Sequence, residues 1–95
     1  MEKLHGAVQL TADLVRIDST NPTNNEREVI DFIAAWLEGE GISYVLQEVE
    51  PNRRNLIATV KGTGRRAPIV VVAHCDTVPI GEGWIHEPLG AVIED

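Results

Sequence analysis

Apolar positions return at three- and four-residue steps at the start of the chain, through Leu4, Ala7, Val8, Thr11, Leu14 and Val15. That period predicts an amphipathic helix from about Lys3 to Ile17 with its apolar stripe against a core. It stops at Asp18-Ser19-Thr20-Asn21-Pro22, a run of turn formers that closes on a helix-breaking proline. Thr23 followed by Glu26 has the form of a capping box, and Val29, Ile30, Phe32, Ile33, Trp36 and Leu37 then give a second helix a wide apolar face. Its end is expected near Gly39 to Gly41, where glycine can take the left-handed cap conformation.

From Ser43 the period turns strand-like. Tyr44, Leu46 and Glu48 alternate with Val45, Gln47 and Val49, and Asn55 to Lys61 repeats the pattern with Leu56, Ile57 and Val60. The two runs predict a hairpin joined at Glu50 to Arg54, with Pro51 and Asn52 as turn residues. A loop from Lys61 to Arg66 leads to Pro68 and then to Ile69-Val70-Val71-Val72-Ala73, which has no polar face. An unbroken apolar run of this kind predicts a third strand covered on both faces, as in the middle of an α/β sheet. Val92 to Asp95 reads as a strand or turn.

Composition narrows the class. The chain has 95 residues, 43% hydrophobic and 24% charged, which fits one soluble globular unit with a modest core. A formal net charge of -7 speaks against nucleic acid as a partner, because phosphate binding draws on clustered Lys and Arg. The pairs Arg53-Arg54 and Arg65-Arg66 read as solvated turns. A single cysteine excludes an internal disulfide framework and fits a reducing, cytoplasmic setting. No stretch approaches the roughly 18 apolar residues of a membrane span, so no membrane partner is expected.

The candidate chemistry lies where the apolar run passes into His74-Cys75-Asp76-Thr77-Val78-Pro79. Groups beyond the carboxyl end of a buried strand are well placed for function, because loops there vary while the sheet fixes their anchors. Alternation puts His74 and Asp76 on one side of the chain and Cys75 on the other. A metal-bound imidazole usually gives its second ring N–H to a carboxylate, so His74 reads as a ligand and Asp76 as its orienter, or as a second ligand if the loop bends. The triplet alone does not separate this from a histidine hydrogen-bonded for structure at a strand end. Cys75 reads as a small packing residue opposite the site, which disfavours a Cys-His dyad.

The run Val72-Ala73-His74-Cys75-Asp76-Thr77-Val78-Pro79, followed by Gly81-Glu82-Gly83-Trp84 and Pro88-Leu89-Gly90-Ala91, resembles the G-H-x-D-x-V-P, W and P-F-x-A series of the zinc-dependent amidohydrolases. This is the family of acetylornithine deacetylase, succinyl-diaminopimelate desuccinylase, aminoacylase and carboxypeptidase G. Leu14 to Ser19, Asn21-Pro22, the helix from Glu26 to Gly41 and the Asn55-Leu56-Ile57-Ala58 strand resemble it in the same order. Ala73 stands where the family commonly has glycine and Leu89 where phenylalanine is commoner; neither change removes a chemical group.

The resemblance implies the N-terminal part of a mixed-sheet, three-layer α/β zinc-peptidase catalytic domain: two helices, a hairpin and a central strand, incomplete as given. It implies a centre of two zinc ions, with cobalt able to stand in, that hydrolyses an amide bond of a small N-acyl amino acid or peptide. It assigns His74 to metal binding and Asp76, hydrogen-bonded to that imidazole, to the catalytic residues. It also implies a lid or dimerisation domain and a homodimeric full-length protein.

The family's bridging aspartate, its Glu-Glu pair, a further carboxylate and a last histidine have no counterpart among these residues. A zinc ion takes about three or four protein ligands. His5, His86 and Glu87 match no family ligand, and Glu82 and Glu94 read as solvated loop charges. Trp84 reads as a structural anchor ahead of a lining for the approach to the site. The isolated 95 residues are therefore expected to be marginal and inactive. Against the enzyme reading stands a truncated or degenerate, non-enzymatic binding module of the same fold. No G-x-S-x-G elbow supports a serine hydrolase, and Gly62-Thr63-Gly64 lacks the ending of a phosphate loop.

Overall fold

The computed structural model describes residues 5–94, so Lys3 and Leu4 of the expected first helix, and Asp95, lie outside the described residues. The element order is α1 (Gly6–Val15), α2 (Arg27–Gly39), β1 (Ser43–Glu50) and β2 (Arg53–Thr59). Helix α1 opens on His5, whose Nδ1 accepts the Ala7 N–H at 3.2 Å and so serves as its N-cap. Ala12 is the buried residue of its apolar stripe.

The expected capping box at the start of α2 does not form. Thr23 lies in a turn, Glu26 occupies the N-cap without a side-chain cap bond, and the Asn25 side chain accepts the Arg27 N–H at 3.0 Å. The physical reason is competition: the Glu26 carboxylate takes the side chains of Asn21 and Arg53 instead. At the other end the glycine cap holds. Gly41 has φ +69°, its N–H bonds the Glu38 carbonyl at 3.1 Å, and the Ile42 N–H reaches Leu37 O at 2.9 Å. These are the two bonds of a Schellman motif.

Strands β1 and β2 pair antiparallel, with Tyr44 opposite Ala58, Leu46 opposite Leu56 and Glu48 opposite Arg54. A bulge falls between Glu48 and Glu50, and Asn52 turns the chain at φ +66°. The Tyr44–Leu46–Leu56 face meets α2: the Tyr44 hydroxyl donates to Glu38 and the Arg54 guanidinium to Asp31. Being bonded to Glu38 holds the Tyr44 phenol above its usual range, since ionisation would place two negative charges together. The opposite face leaves Val45 62% and Ile57 51% exposed. The core consists of Ala12, Val29, Ile30, Ala34 and Leu37, and every buried side-chain polar atom among the described residues has a partner.

Two further sequence expectations are overturned. Ile69 to Ala73 joins no ladder, and Ile69 to Val72 are 80–91% exposed. An extended run becomes a strand only where a neighbour offers free backbone groups, and the one sheet among the described residues is the two-stranded hairpin. The described residues thus have an α/β arrangement of two helices and a two-stranded sheet. The pair Arg53-Arg54, expected as a solvated turn, sits at the start of β2 with both guanidinium groups engaged by side chains. Among the described residues no helix is long and apolar enough to cross a membrane.

Candidate functional site

The loop after α1 is what holds the His74-to-Thr77 segment. Ser19 to Asn21 runs beside Cys75 to Thr77 in a short parallel bridge: the Thr77 N–H bonds Ser19 O at 3.1 Å and the Asn21 N–H bonds Thr77 O at 2.8 Å. The Ser19 hydroxyl donates to the Cys75 carbonyl at 2.6 Å. Ser19 and Thr20 are 5% and 6% exposed, so this join is among the most enclosed parts of the molecule. Within the loop, the Asp18 carboxylate accepts the Thr20 N–H at 3.0 Å, and its bonds to Thr20 hold its pKa below the ordinary value. The peptide bond between Asn21 and Pro22 is cis.

His74 and Asp76 come together as the spacing predicts. Nδ1 of His74 lies 3.2 Å from Asp76 Oδ1 and 2.9 Å from the Asp76 carbonyl oxygen. Both of those atoms are acceptors, so the proton of a neutral imidazole belongs on Nδ1. That leaves the lone pair of Nε2 free for a ligand bond, and the His74 side chain is 84% exposed. The second oxygen of Asp76, Oδ2, accepts a hydrogen bond from Asn21 Nδ2 at 3.0 Å.

Cys75, between them in sequence, is partly buried. Burial pushes its pKa up, and the negative charges of Asp76 and Glu26 push it further. A thiol held protonated is a poor nucleophile, which weighs against a Cys-His dyad.

The other candidates disperse. His5 caps α1, and His86 Nε2 pairs with Glu94 Oε1 at 2.9 Å on the surface. Trp84 is 60% exposed and bonds the Ile80 carbonyl through Nε1 at 2.8 Å, so it anchors its own loop without entering a core. Ala91, Val92 and Ile93 close an apolar groove of about 350 Å³ against Ala7, Val8, Thr11, Ala12 and Val15 of α1, and no titratable group lines it. Among the described residues no three His, Cys, Asp or Glu side chains converge as a metal site would require.

Sequence reasoning missed two contributors, Asn21 and Arg53. Arg53 Nη2 donates to Asn21 Oδ1 at 2.5 Å and Arg53 Nη1 to Glu26 Oε1 at 3.3 Å, while Asn21 Nδ2 also meets Glu26 Oε1 at 3.2 Å. The signal available for Asn21 was its place in the turn after α1. Nothing local in the sequence singles out Arg53.

No protein-family model matches the chain, and no solved structure matches it. Curated proteins do. The acetylornithine deacetylase of Vibrio cholerae serotype O1 is 37% identical over 79 residues, covering 82% of this chain and 20% of that protein. The acetylornithine deacetylase of Vibrio atlanticus is 36% identical over 75 residues, 76% of this chain and 19% of that protein. The succinyl-diaminopimelate desuccinylase of Gluconobacter oxydans is 37% identical over 90 residues, 92% of this chain and 23% of that protein. The chain spans about a fifth of the length of these curated relatives. Over the residues it shares with them, it belongs to the family of the acetylornithine deacetylases and succinyl-diaminopimelate desuccinylases.

Proposed function

We propose that the protein carrying this chain hydrolyses the amide bond of a small N-acyl amino acid, of the acetylated or succinylated diamino acid type, at a zinc centre to which His74 contributes. The observation that carries this reading is the His74–Asp76 pair. An imidazole whose Nδ1–H is given to a carboxylate presents Nε2 to solvent in the form a divalent zinc ion takes as a nitrogen ligand. The names of the relatives support the amide bond as the target.

His74 would hold the metal through Nε2, and the remaining ligands and the general base would come from outside these 95 residues. What zinc supplies when bound is polarisation of the scissile carbonyl and acidification of a water toward hydroxide. Asp76 fixes the tautomer and the ring orientation of His74. Cys75 takes no part. The same reading places the protein in the cytoplasm as a homodimer, which fractionation and sedimentation of the full protein would check.

The test uses the uninterrupted reading frame that contains these residues, assayed on N-acetylornithine and N-succinyl-diaminopimelate. Amine release that a chelator abolishes and zinc restores is the expected result. His74→Ala should remove one zinc per site. Asp76→Asn should keep the metal largely bound and slow turnover about 10- to 100-fold, the usual cost of losing a carboxylate behind a histidine ligand. Equal zinc loss in both variants would make Asp76 a ligand. A natural stop codon directly after Asp95, with no turnover, would favour the non-enzymatic binding module.

A further inference from the structure

The side chain of Asn21 sits at the centre of a network that ends on Asp76. Both polar atoms of its amide are engaged, in three hydrogen bonds: Nδ2 donates to Asp76 Oδ2 at 3.0 Å and to Glu26 Oε1 at 3.2 Å, and Oδ1 accepts from Arg53 Nη2 at 2.5 Å. Only one orientation of the amide suits these neighbours. The reverse would set its oxygen against two carboxylates and its NH2 against a guanidinium, so the donors must face Asp76 and Glu26. Arg53 Nη1 closes the ring on Glu26 Oε1 at 3.3 Å.

We propose that Asn21 is the positioning residue for Asp76, oriented in turn by Arg53 and Glu26, and that through Asp76 it sets the tautomer and ligand strength of His74. This deepens the zinc-centre reading and rests on it. A carboxylate torsion is soft, and the Asp76 side chain is 46% exposed, so water alone would let it rotate. With Oδ2 held by Asn21, Oδ1 is the oxygen left to His74 Nδ1. The backbone adds a second hold at the same place, because the Asn21 N–H bonds the carbonyl of Thr77, the residue after Asp76. One loop residue thus fixes both the chain and the carboxylate.

Charge explains why an asparagine stands here. Asp76 and Glu26 both approach its NH2, and a neutral donor between two anions separates them without adding charge. Arg53 supplies the balancing cation from the first position of β2, where the Pro51-Asn52 turn and the bulge at Glu48/Glu50 bring it round to the loop. Substrate need not touch any of these three residues for them to matter.

The experiment compares wild type with Asn21→Asp and His74→Ala in the uninterrupted reading frame, labelled with 15N-histidine. Asn21→Asp keeps the size of the side chain and an oxygen for Arg53, removes the NH2 that Asp76 and Glu26 share, and sets a third carboxylate beside them. In the metal-free protein the wild-type His74 ring should show a single Nδ1–H tautomer, and Asn21→Asp should show a mixture. Zinc affinity should fall by less than about 10-fold, and kcat should fall by no more than the about 10- to 100-fold expected of Asp76→Asn, with KM little changed. If Asn21→Asp folds with the wild-type Tm and leaves tautomer, zinc affinity and kcat unchanged, the positioning role is wrong. Should that variant not fold, Asn21→Ala, which introduces no charge, is read by the same three measurements and the same outcomes. The underlying zinc reading fails separately, through a His74→Ala protein that keeps its full zinc content.

Discussion

His74 and Asp76 share one hydrogen bond, yet each is fixed by a different part of the chain. Spacing alone brings Nδ1 to Oδ1, because residues two apart in an extended segment share a side. What stops Asp76 from turning away is Asn21, 55 positions earlier. Residue type and interval were therefore enough to name His74 and Asp76, while Asn21 read as a turn former and Arg53 as a solvated turn. Local pattern carries no record of a partner tens of residues distant. Asp18 offers a separate check on the loop that carries Asn21. Its folded pKa lies below the ordinary 3.8 because it accepts bonds from Thr20. A carboxyl depressed in the folded state contributes stability above its unfolded pKa and loses it as pH falls through the folded value. Urea titrations at stepped pH below about 4 should therefore show a flatter acid limb for Asp18→Asn than for wild type.

At the scale of elements, α2 was legible because its apolar period runs its full length and a glycine follows it. The C-terminal cap gives two predictions of opposite sign. Gly41 at φ +69° has open space around it, so Gly41→Ala meets no clash and still destabilises by about 1 kcal/mol from the left-handed backbone alone. Gly39, helical and equally open, should gain several tenths of a kcal/mol as Gly39→Ala. Urea unfolding of both variants checks the pair of signs. The start of α2 was misread for an instructive reason. A capping box assumes that Glu26 has only its own helix to serve, whereas Arg53 reaches it from 27 positions away with a formal charge. The hairpin followed its alternation closely, and its turn fell on Pro51 and Asn52 as expected.

Across the whole molecule the apolar surface is incompletely covered. The radius of gyration is 15.8 Å, against about 12 Å for a compact domain of this length. Ile69, Val70, Val71 and Val72 are 91%, 80%, 88% and 87% exposed. An exposed apolar stretch with unpaired backbone groups is a template for association. The 95 residues expressed alone should bind an apolar dye, self-associate in sedimentation and show no amide hydrolysis. Val71→Asp should reduce the association. A monodisperse, dye-silent wild-type chain would contradict this.

Periodicity and residue type by themselves determined the two helices, the hairpin and the pairing of His74 with Asp76, because each depends on neighbours within a few positions. Motif order also sufficed to place the chain among the deacetylase and desuccinylase relatives. Tertiary structure decided the rest: that Ile69 to Ala73 lies unpaired among the described residues, that Glu26 leaves its cap, and that Asn21 and Arg53 stand behind Asp76. Those outcomes turn on which strand edges and charged groups meet in space, and a strand without a neighbour or a carboxylate without a distant cation looks the same in one dimension as one that has found its partner.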